Sequence, residues 1–483
     1  MNVILIAFIL YLLVVLGIGF YAVRRTKDLG DFALGGHKLG PWVIAFSERA
    51  SGESAWIIIG LPGAALVAGM FELWTALGCV LGIVASWLFI AKPLRKLTEK
   101  YGALTLPELF ARRFNDQSGT IRLIASLIIT FFFTFYVAAQ FSGAGKVLNV
   151  TFKLTEIQGM FLGAFIIVFY TMIGGFTAVA WTDVIQGTIM IGTLVILPLV
   201  GLIQLVPVEH GAVLNLGTLF NDKIGAGAVI GVIGGLSWGL GYLGQPHLLT
   251  RYMAINDEKN INTGRKIAFS WAIPGFFGSV LIGLVGYQMI QSGILTYNGE
   301  TITTVNQLQD PEKLMPIMAT NLLHPWIAGI FISGAIAAMM STADSQLLVT
   351  TTVLTEDIIS KYFSRIIRRI KLLSIGRVFT MVIGVVAFLL ALETKDLVFE
   401  MVSYAWSGLG SSFGPALILT ILWRKTSKSG VIAGMVTGSI STIIWANTDL
   451  KLLITERLAS FVLAFLAVII FSFLNHERHG GSN

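Results

Sequence analysis

Four groups of polar residues stand inside runs of this sequence that are otherwise apolar, and each has the side chains to hold an ion or a small solute. Phe46-Ser47-Glu48-Arg49-Ala50-Ser51-Gly52-Glu53-Ser54-Ala55-Trp56 places two acids, a base and three hydroxyls together. Ser341-Thr342-Ala343-Asp344-Ser345 puts Ser341 and Ser345 one helical turn apart with Thr342 adjacent. Asp183 opens a third run, and Trp238-Gly239-Leu240-Gly241-Tyr242-Leu243-Gly244-Gln245-Pro246-His247 mixes glycines and a proline with aromatic and amide side chains. A hard cation takes oxygen ligands, which hydroxyls and carbonyls freed by a helix break supply. A small zwitterion needs one partner for its carboxylate, another for its ammonium or imino group, and an apolar wall. Tyr136, Gln140, Trp238, Tyr242, Gln245 and Pro246 carry those chemistries. Each feature also has a plainer account: hydroxyls bonding back to their own helix, aromatics packing a core or an interface belt, glycine and proline kinking packed helices. Covalent chemistry finds less support, because none of the six histidines forms an i, i+4 pair. No G-x-x-x-x-G-K-[ST] phosphate cradle occurs, so direct drive by ATP would need an ATPase subunit, and none is expected.

The chain that carries these groups cannot cover a water-facing surface. Its 483 residues are 55% apolar and 12% charged, against roughly 25% charged in soluble proteins, and the mean hydropathy is +0.81. Cutting the chain at its polar clusters leaves thirteen runs near or above the length that crosses a bilayer. They cover roughly 2–22, 40–69, 74–97, 120–148, 156–178, 183–206, 226–250, 267–292, 314–356, 373–393, 397–423, 429–447 and 452–475. The run from Val3 to Val23 leads into Arg24 and Arg25 with no small-residue cleavage pattern, so it reads as a span and not as a secretory signal. Only the loops around 207–225 and 293–313 have room for small helices outside the membrane, and the tail after Phe473 is too short for a sensor module.

Twenty-five Lys and Arg residues fall in one set of alternate loops and seven in the other, with Arg49 alone inside a span. The basic side is therefore expected to be cytoplasmic, with the N-terminus outside and the C-terminus inside. The net charge of +7 is then a topology signal and not a nucleic-acid footprint. The single cysteine, Cys79, forms no disulfide within the chain. Unwound backbone at mid-membrane belongs where it lines a cavity, since an unsatisfied group there costs several kcal/mol. The second and seventh runs carry such breaks. Their spacing of five predicts two five-helix halves of opposite topology with binding at the midplane.

Five stretches carry a family resemblance: Gly60-Leu61-Pro62-Gly63-Ala64, Gly174-Gly175-Phe176 with Trp181-Thr182-Asp183, Trp238 to His247, Met340-Ser341-Thr342 with Gln346-Leu347-Leu348, and Ser403-Tyr404-Ala405-Trp406. Over nearly its whole length the chain resembles the sodium/solute symporter family, and within it the sodium/proline symporter branch. The resemblance implies an all-α membrane protein of thirteen transmembrane helices. It also implies a five-plus-five inverted repeat (LeuT-like) with one extra N-terminal and two extra C-terminal helices. The units are then 1–39, 40–206, 207–423 and 424–483. By resemblance, the principal sodium site joins the hydroxyls of Ser341 and Thr342 to carbonyls of Ala338, Ala50 and Glu53. Asp183 is expected on the sodium release route, and Asp344 with Ser345 on that route or at a second cation site. An interfacial cap or a paired structural acid is the alternative for either aspartate. Tyr136, Trp238, Tyr242 and Pro246 match positions lining the substrate pocket, and Ser54 and Trp56 match the helix that touches both ion and substrate.

One departure stands out. The branch reads Ser-Ala-Gly-Ala-Ser-Asp-Met-Ser-Gly-Trp where this chain has Ser47 to Trp56, so its acid has become Gly52 with Glu53 beside it. Arg49 and Glu53 are four apart on one helix face, as an internal ion pair requires. Alternatively, Glu53 replaces the missing acid near the cation, or Arg49 holds a substrate carboxylate. The expectation is a sodium-coupled importer of proline or a closely related small amino acid, working by alternating access in a bilayer, by resemblance the bacterial inner membrane. Sodium is the co-transported ion, and neither enzymatic activity nor a nucleic-acid partner is expected. Another solute, such as a carboxylate, sugar or vitamin, proton coupling, and a channel or receptor of the same fold remain open on the residues alone.

Overall fold

A computed structural model of the chain describes residues 3–23, 33–173, 175–205, 225–362 and 372–480. Almost all of it is helix, the form that satisfies every backbone group within its own segment. In chain order the helices are α1 (Val3–Val23), α2 (Pro41–Gly52), α3 (Leu61–Ala68), α4 (Leu73–Ala85), α5 (Ala91–Tyr101), α6 (Leu106–Arg113), α7 (Thr120–Phe152), α8 (Glu156–Ile173), α9 (Phe176–Leu205) and α10 (Ala226–Leu236). There follow α11 (Trp238–Gly241), α12 (Pro246–Ala254), α13 (Ile261–Gln291), α14 (Leu314–Leu322), α15 (Pro325–Val353), α16 (Leu372–Glu393), α17 (Val398–Leu422), α18 (Lys428–Ala446) and α19 (Glu456–Gly480). Wider π turns at Trp56–Gly60, Ser86–Ile90 and Leu354–Ser360 extend α3, α4 and α15.

Helices occupy all thirteen intervals expected from the sequence, but among the described residues only ten stretches are long and apolar enough to cross a bilayer. The number is eleven when Gly227–Gly241 and Pro246–Ala254, bent by 43°, count as one span. The shortfall has a physical origin. Trp56–Tyr101 passes as one stretch of 46 residues, although Gly69 turns the chain inside it at φ 63. The broken α2 has only 12 residues, and the apolar part of α8 is shorter than a full span.

Two local expectations are corrected and a third, for 293–313, is extended. The loop 98–119, read as bare, holds α6: Thr105 accepts a hydrogen bond from the Glu108 N–H at its start, the Thr-x-x-Glu pattern of a helix N-terminus. The loop 293–313 holds a hairpin of Thr296–Tyr297 with Glu300–Thr301 and two short 3-10 turns. The run 314–356 is divided, because Pro325 disfavours helix at the preceding residue; His324 sits at φ −56, ψ 139, and the spanning helix starts at Pro325. The loop 207–224, the charges Arg24, Arg25, Lys27, Lys223 and those of 365–371, and Gly174 lie outside the described residues.

Loops assigned to one side of the membrane do touch one another. On the basic side Lys92 and Lys96 reach Glu258, Arg122 reaches Asp357, Lys428 reaches Asp116 and Leu39 bridges Ile255. On the opposite side Lys146 pairs with Asp310 and Glu312, Lys313 with Glu156, and Glu312 accepts the N–H groups of Val398 and Phe399. The largest fully buried side chains include Trp56, Trp238 and Trp406 together with Arg49 and Arg251. Arg49 lies in the last turn of the helix before the first break and Arg251 on the helix after the second, so buried charge stands beside both.

Candidate functional site

The first break is built by its sequence. Helix α2 ends at Gly52, and Glu53 leaves helical geometry at φ −104, ψ 70. In a continuous helix the Ala55 N–H would serve the Ser51 carbonyl; here it donates to Gln140 Oε1 at 3.0 Å. The Ser51 carbonyl is thereby freed and accepts the Thr342 hydroxyl at 3.0 Å. One residue earlier the Ala50 carbonyl accepts the Ser341 hydroxyl at 2.8 Å, and the same hydroxyl reaches the Ala338 carbonyl at 3.1 Å. Ser341, Thr342, Ala50 and Ala338 therefore meet as a patch of hydroxyl and carbonyl oxygens between α2 and α15. The Ser51 carbonyl joins them, which the sequence reading did not include. The Glu53 side chain points elsewhere.

One turn toward the basic face lies a second oxygen cluster. Asp183 Oδ2 accepts from Ser47 at 2.6 Å, Ser51 at 3.2 Å and Arg251 at 3.3 Å. The Ser51 and Ser345 hydroxyls are 2.8 Å apart, and Ser345 donates to Asp344 Oδ1 at 3.2 Å. Asp183 Oδ1 and Asp344 Oδ2 are buried without a hydrogen-bond partner among the described residues. Spare carboxylate oxygens beside three hydroxyls are chemically suited to a hard cation.

Glu48, Arg49 and Glu53 form the third element. Arg49 donates through Nε to Glu48 at 2.6 Å and through its terminal nitrogens to Glu53 at 2.6 Å and again to Glu48. Glu48 also accepts Trp87 Nε1 and the Tyr252 hydroxyl, both at 3.1 Å. The Tyr242 hydroxyl lies 3.1 Å from both Glu53 oxygens. Both acids and the base are completely buried, and the donors around them satisfy the charges that hydrocarbon would penalise. All three guanidinium nitrogens of Arg49 are engaged by these acids.

Aromatic side chains wall the space beside the breaks. Trp56 stacks on Trp238 with centroids 4.8 Å apart, Tyr242 meets Trp406 edge-on at 4.7 Å, and Tyr136 lies 6.4 Å from Trp406. The Ser54 and Tyr136 hydroxyls are 3.4 Å apart. Gln245 donates to the Trp406 carbonyl, and Trp406 Nε1 to the Trp238 carbonyl, each at 3.0 Å. Pro246 opens α12 and lines a separate cleft with Thr105, Thr250 and Leu348. Sequence reasoning missed Arg251, Ser47, Ser51, Trp87, Tyr252 and Trp406 as members of this centre. Arg251 was legible in part: it stands four residues after His247 on the helix that follows the second break, yet it was counted among the loop charges.

The model of the sodium:solute symporter family matches residues 32–438. The high-affinity proline transporter PutP of Bacillus subtilis is 38% identical over 465 residues, 95% of each chain. The sodium/proline symporter of Escherichia coli is 35% identical over 478 residues, 97% of this chain and 93% of that one. Among solved structures, the substrate-bound outward-open state of a sodium-coupled sialic acid symporter aligns with a TM-score of 0.73 at 18% identity over 98% of both chains. That likeness supports the five-plus-five architecture. With the family model covering most of the chain and full-length relatives well above 30% identity, this chain belongs to the sodium:solute symporter family.

Proposed function

We propose that this chain is a multi-pass membrane symporter that uses a sodium gradient to import proline. The observation that carries the reading is the meeting of the Ser341 and Thr342 hydroxyls with the Ala50, Ser51 and Ala338 carbonyls at a helix break, next to a wall of paired aromatics. The names of its relatives, a proline transporter and a sodium/proline symporter, agree with it. Sodium takes hydroxyl and carbonyl oxygens, with the Glu53 carbonyl completing the set as the break reorders. Proline packs its ring against Trp56, Trp238 and Tyr242, with Ser54, Tyr136, Gln140 and Gln245 as polar partners. Asp183, Asp344 and Ser345 line the route by which sodium leaves toward the basic face, which is the cytoplasmic face in this reading, with the N-terminus outside. Arg49 braces the break through Glu48 and Glu53, and reaches substrate only if that bracing opens.

Sodium binding orders α2 and so completes the pocket, which makes the two ligands positively coupled. The drive is sufficient. About 100 mV contributes roughly 2.3 kcal/mol per charge, and a tenfold sodium gradient adds about 1.4 kcal/mol. One sodium then supports several-hundredfold accumulation. The test is equilibrium binding of labelled proline to purified protein at rising sodium. Proline affinity increases with sodium in the wild type, and Ser341→Ala raises the sodium needed for half of that effect by about tenfold, the equivalent of one lost ligand. Proline affinity that ignores sodium contradicts the reading.

A further inference from the structure

The second oxygen cluster already contains a cation, and it is covalently part of the chain. The Arg251 guanidinium donates to the Ser345 hydroxyl at 2.5 Å, Ser51 at 2.7 Å, Ser47 at 3.1 Å and Asp183 at 3.3 Å, and to the His247 carbonyl at 2.9 Å. Four of these five are side-chain oxygens of a kind that hold a hard cation, and all lie in the fully buried core. A guanidinium stays protonated in any protein setting. Its positive charge is therefore fixed, and in this conformation it stands within reach of the oxygens of Asp183 and Ser345.

Two serine pairs set the arrangement. Ser47 and Ser51 are one turn apart on α2, and Ser341 and Ser345 one turn apart on α15. The facing pairs make a ladder with two rungs. The upper rung is the Ser341–Thr342 patch, and the lower is the Asp183–Ser345 cluster. Ser51 belongs to both, through its carbonyl above and its hydroxyl below. Arg251 closes the lower rung from α12, the helix that follows the second break, with its guanidinium 5.2 Å from the centre of the Phe176 ring. A second cation could enter the lower rung only against this charge and by displacing its hydrogen bonds.

We infer that Arg251 is a tethered cation that competes with the transported ion for the Asp183–Ser345 cluster, so that the chain retains one sodium, at the upper rung, and passes it out through the lower rung only when α12 moves. The inference rests on the proposed sodium coupling and adds a determinant of its stoichiometry. It also gives the second break a task in ion release, because motion at Tyr242–Gln245 carries Arg251 with it.

The test is the saturating amount of radiolabelled sodium bound per chain of purified protein, read without proline so that it does not depend on the substrate. Wild type is expected to bind one sodium, Arg251→Gln two, Arg251→Lys one, and Arg251→Gln with Asp183→Asn one again. Equal saturation of wild type and Arg251→Gln overturns the inference, as does a wild type that binds two. If Arg251→Gln does not fold, as its melting curve will show, wild type and Arg251→Lys decide: two sodium ions in either overturns it, and one in both supports it. A wild type that binds no sodium at all fails differently, since it removes the proposed function itself.

Discussion

At the scale of single residues, the centre is governed by the need to neutralise charge inside an apolar bundle. Arg49 lies between two buried acids, so its removal leaves two carboxylates facing each other with only tyrosine and tryptophan donors. Breaking such a buried cluster costs about 3–5 kcal/mol. Arg49→Met is expected to lower the thermal midpoint by several degrees, and Glu53→Gln added to it to recover part of the loss; a double variant no better than the single one would deny the coupling. The sequence made this trio visible because it falls within six consecutive residues, and i, i+4 spacing linked Arg49 to Glu53. The pairing of Ser341 and Thr342 with Ala50 and Ala338 came from the family resemblance, because the residues alone equally allow those hydroxyls to bond back to their own helix. Arg251 was harder to place. Its partners Ser47, Ser51, Asp183 and Ser345 come from three other helices, and a linear pattern of loop charges could not bring them together.

At the scale of elements, close helix approach and end-capping decide the geometry. Gly78 and Gly82 of α4 pack against the backbone at Gly239, and a Cβ on Gly82 or Gly239 would fall onto the facing carbonyl. Small residues at such crossings let helices in a bilayer approach. Gly239→Ala therefore pushes α11 off α4 and displaces Trp238 from its stack on Trp56. Transport is expected to fall by at least tenfold while the protein remains in the membrane, and normal uptake by this variant would show that the contact does not position the break. On the basic face Asp116 caps α7 by accepting the N–H groups of Gly119 and Ile121, and pairs with Lys428 at 2.6 Å. Burial alone would raise its pKa, but the Lys428 ammonium, the Ser118 hydroxyl and the Ile121 N–H outweigh burial and pull it down to about 2. An unfolded aspartate titrates near 3.9. The cap therefore contributes fully above about pH 4, and its contribution fades as pH falls toward 2. Asp116→Asn is expected to cost about 1–2 kcal/mol at neutral pH, and its melting difference from wild type should shrink in acid; a difference constant down to pH 3 would be contrary. The break in α2 was legible from Ser-Gly-Glu-Ser in an apolar run. The helix α6 was not, because its short Thr105–Glu108 start was obscured by the surrounding charges.

At the scale of the whole molecule, the alternation of basic and non-basic loops agrees with which loops touch, and breaks occur in the second and the seventh of the apolar runs read from the sequence. Both follow from the bilayer, which forces long apolar helices and leaves polarity only at loops and at the centre. The number of crossings among the described residues differs from thirteen, because a broken helix, a short helix and a merged pair do not satisfy a uniform criterion of length. The central claim is that this architecture couples a sodium gradient to uphill movement of proline. It is tested most directly by labelled proline uptake into proteoliposomes under an inward sodium gradient, with potassium, lithium and proton gradients as controls and other amino and carboxylic acids as competitors. The account predicts transient accumulation above equilibrium that requires sodium, grows with an inside-negative potential and is competed by unlabelled proline. Uptake that only equilibrates, or that proceeds equally without sodium, would contradict it.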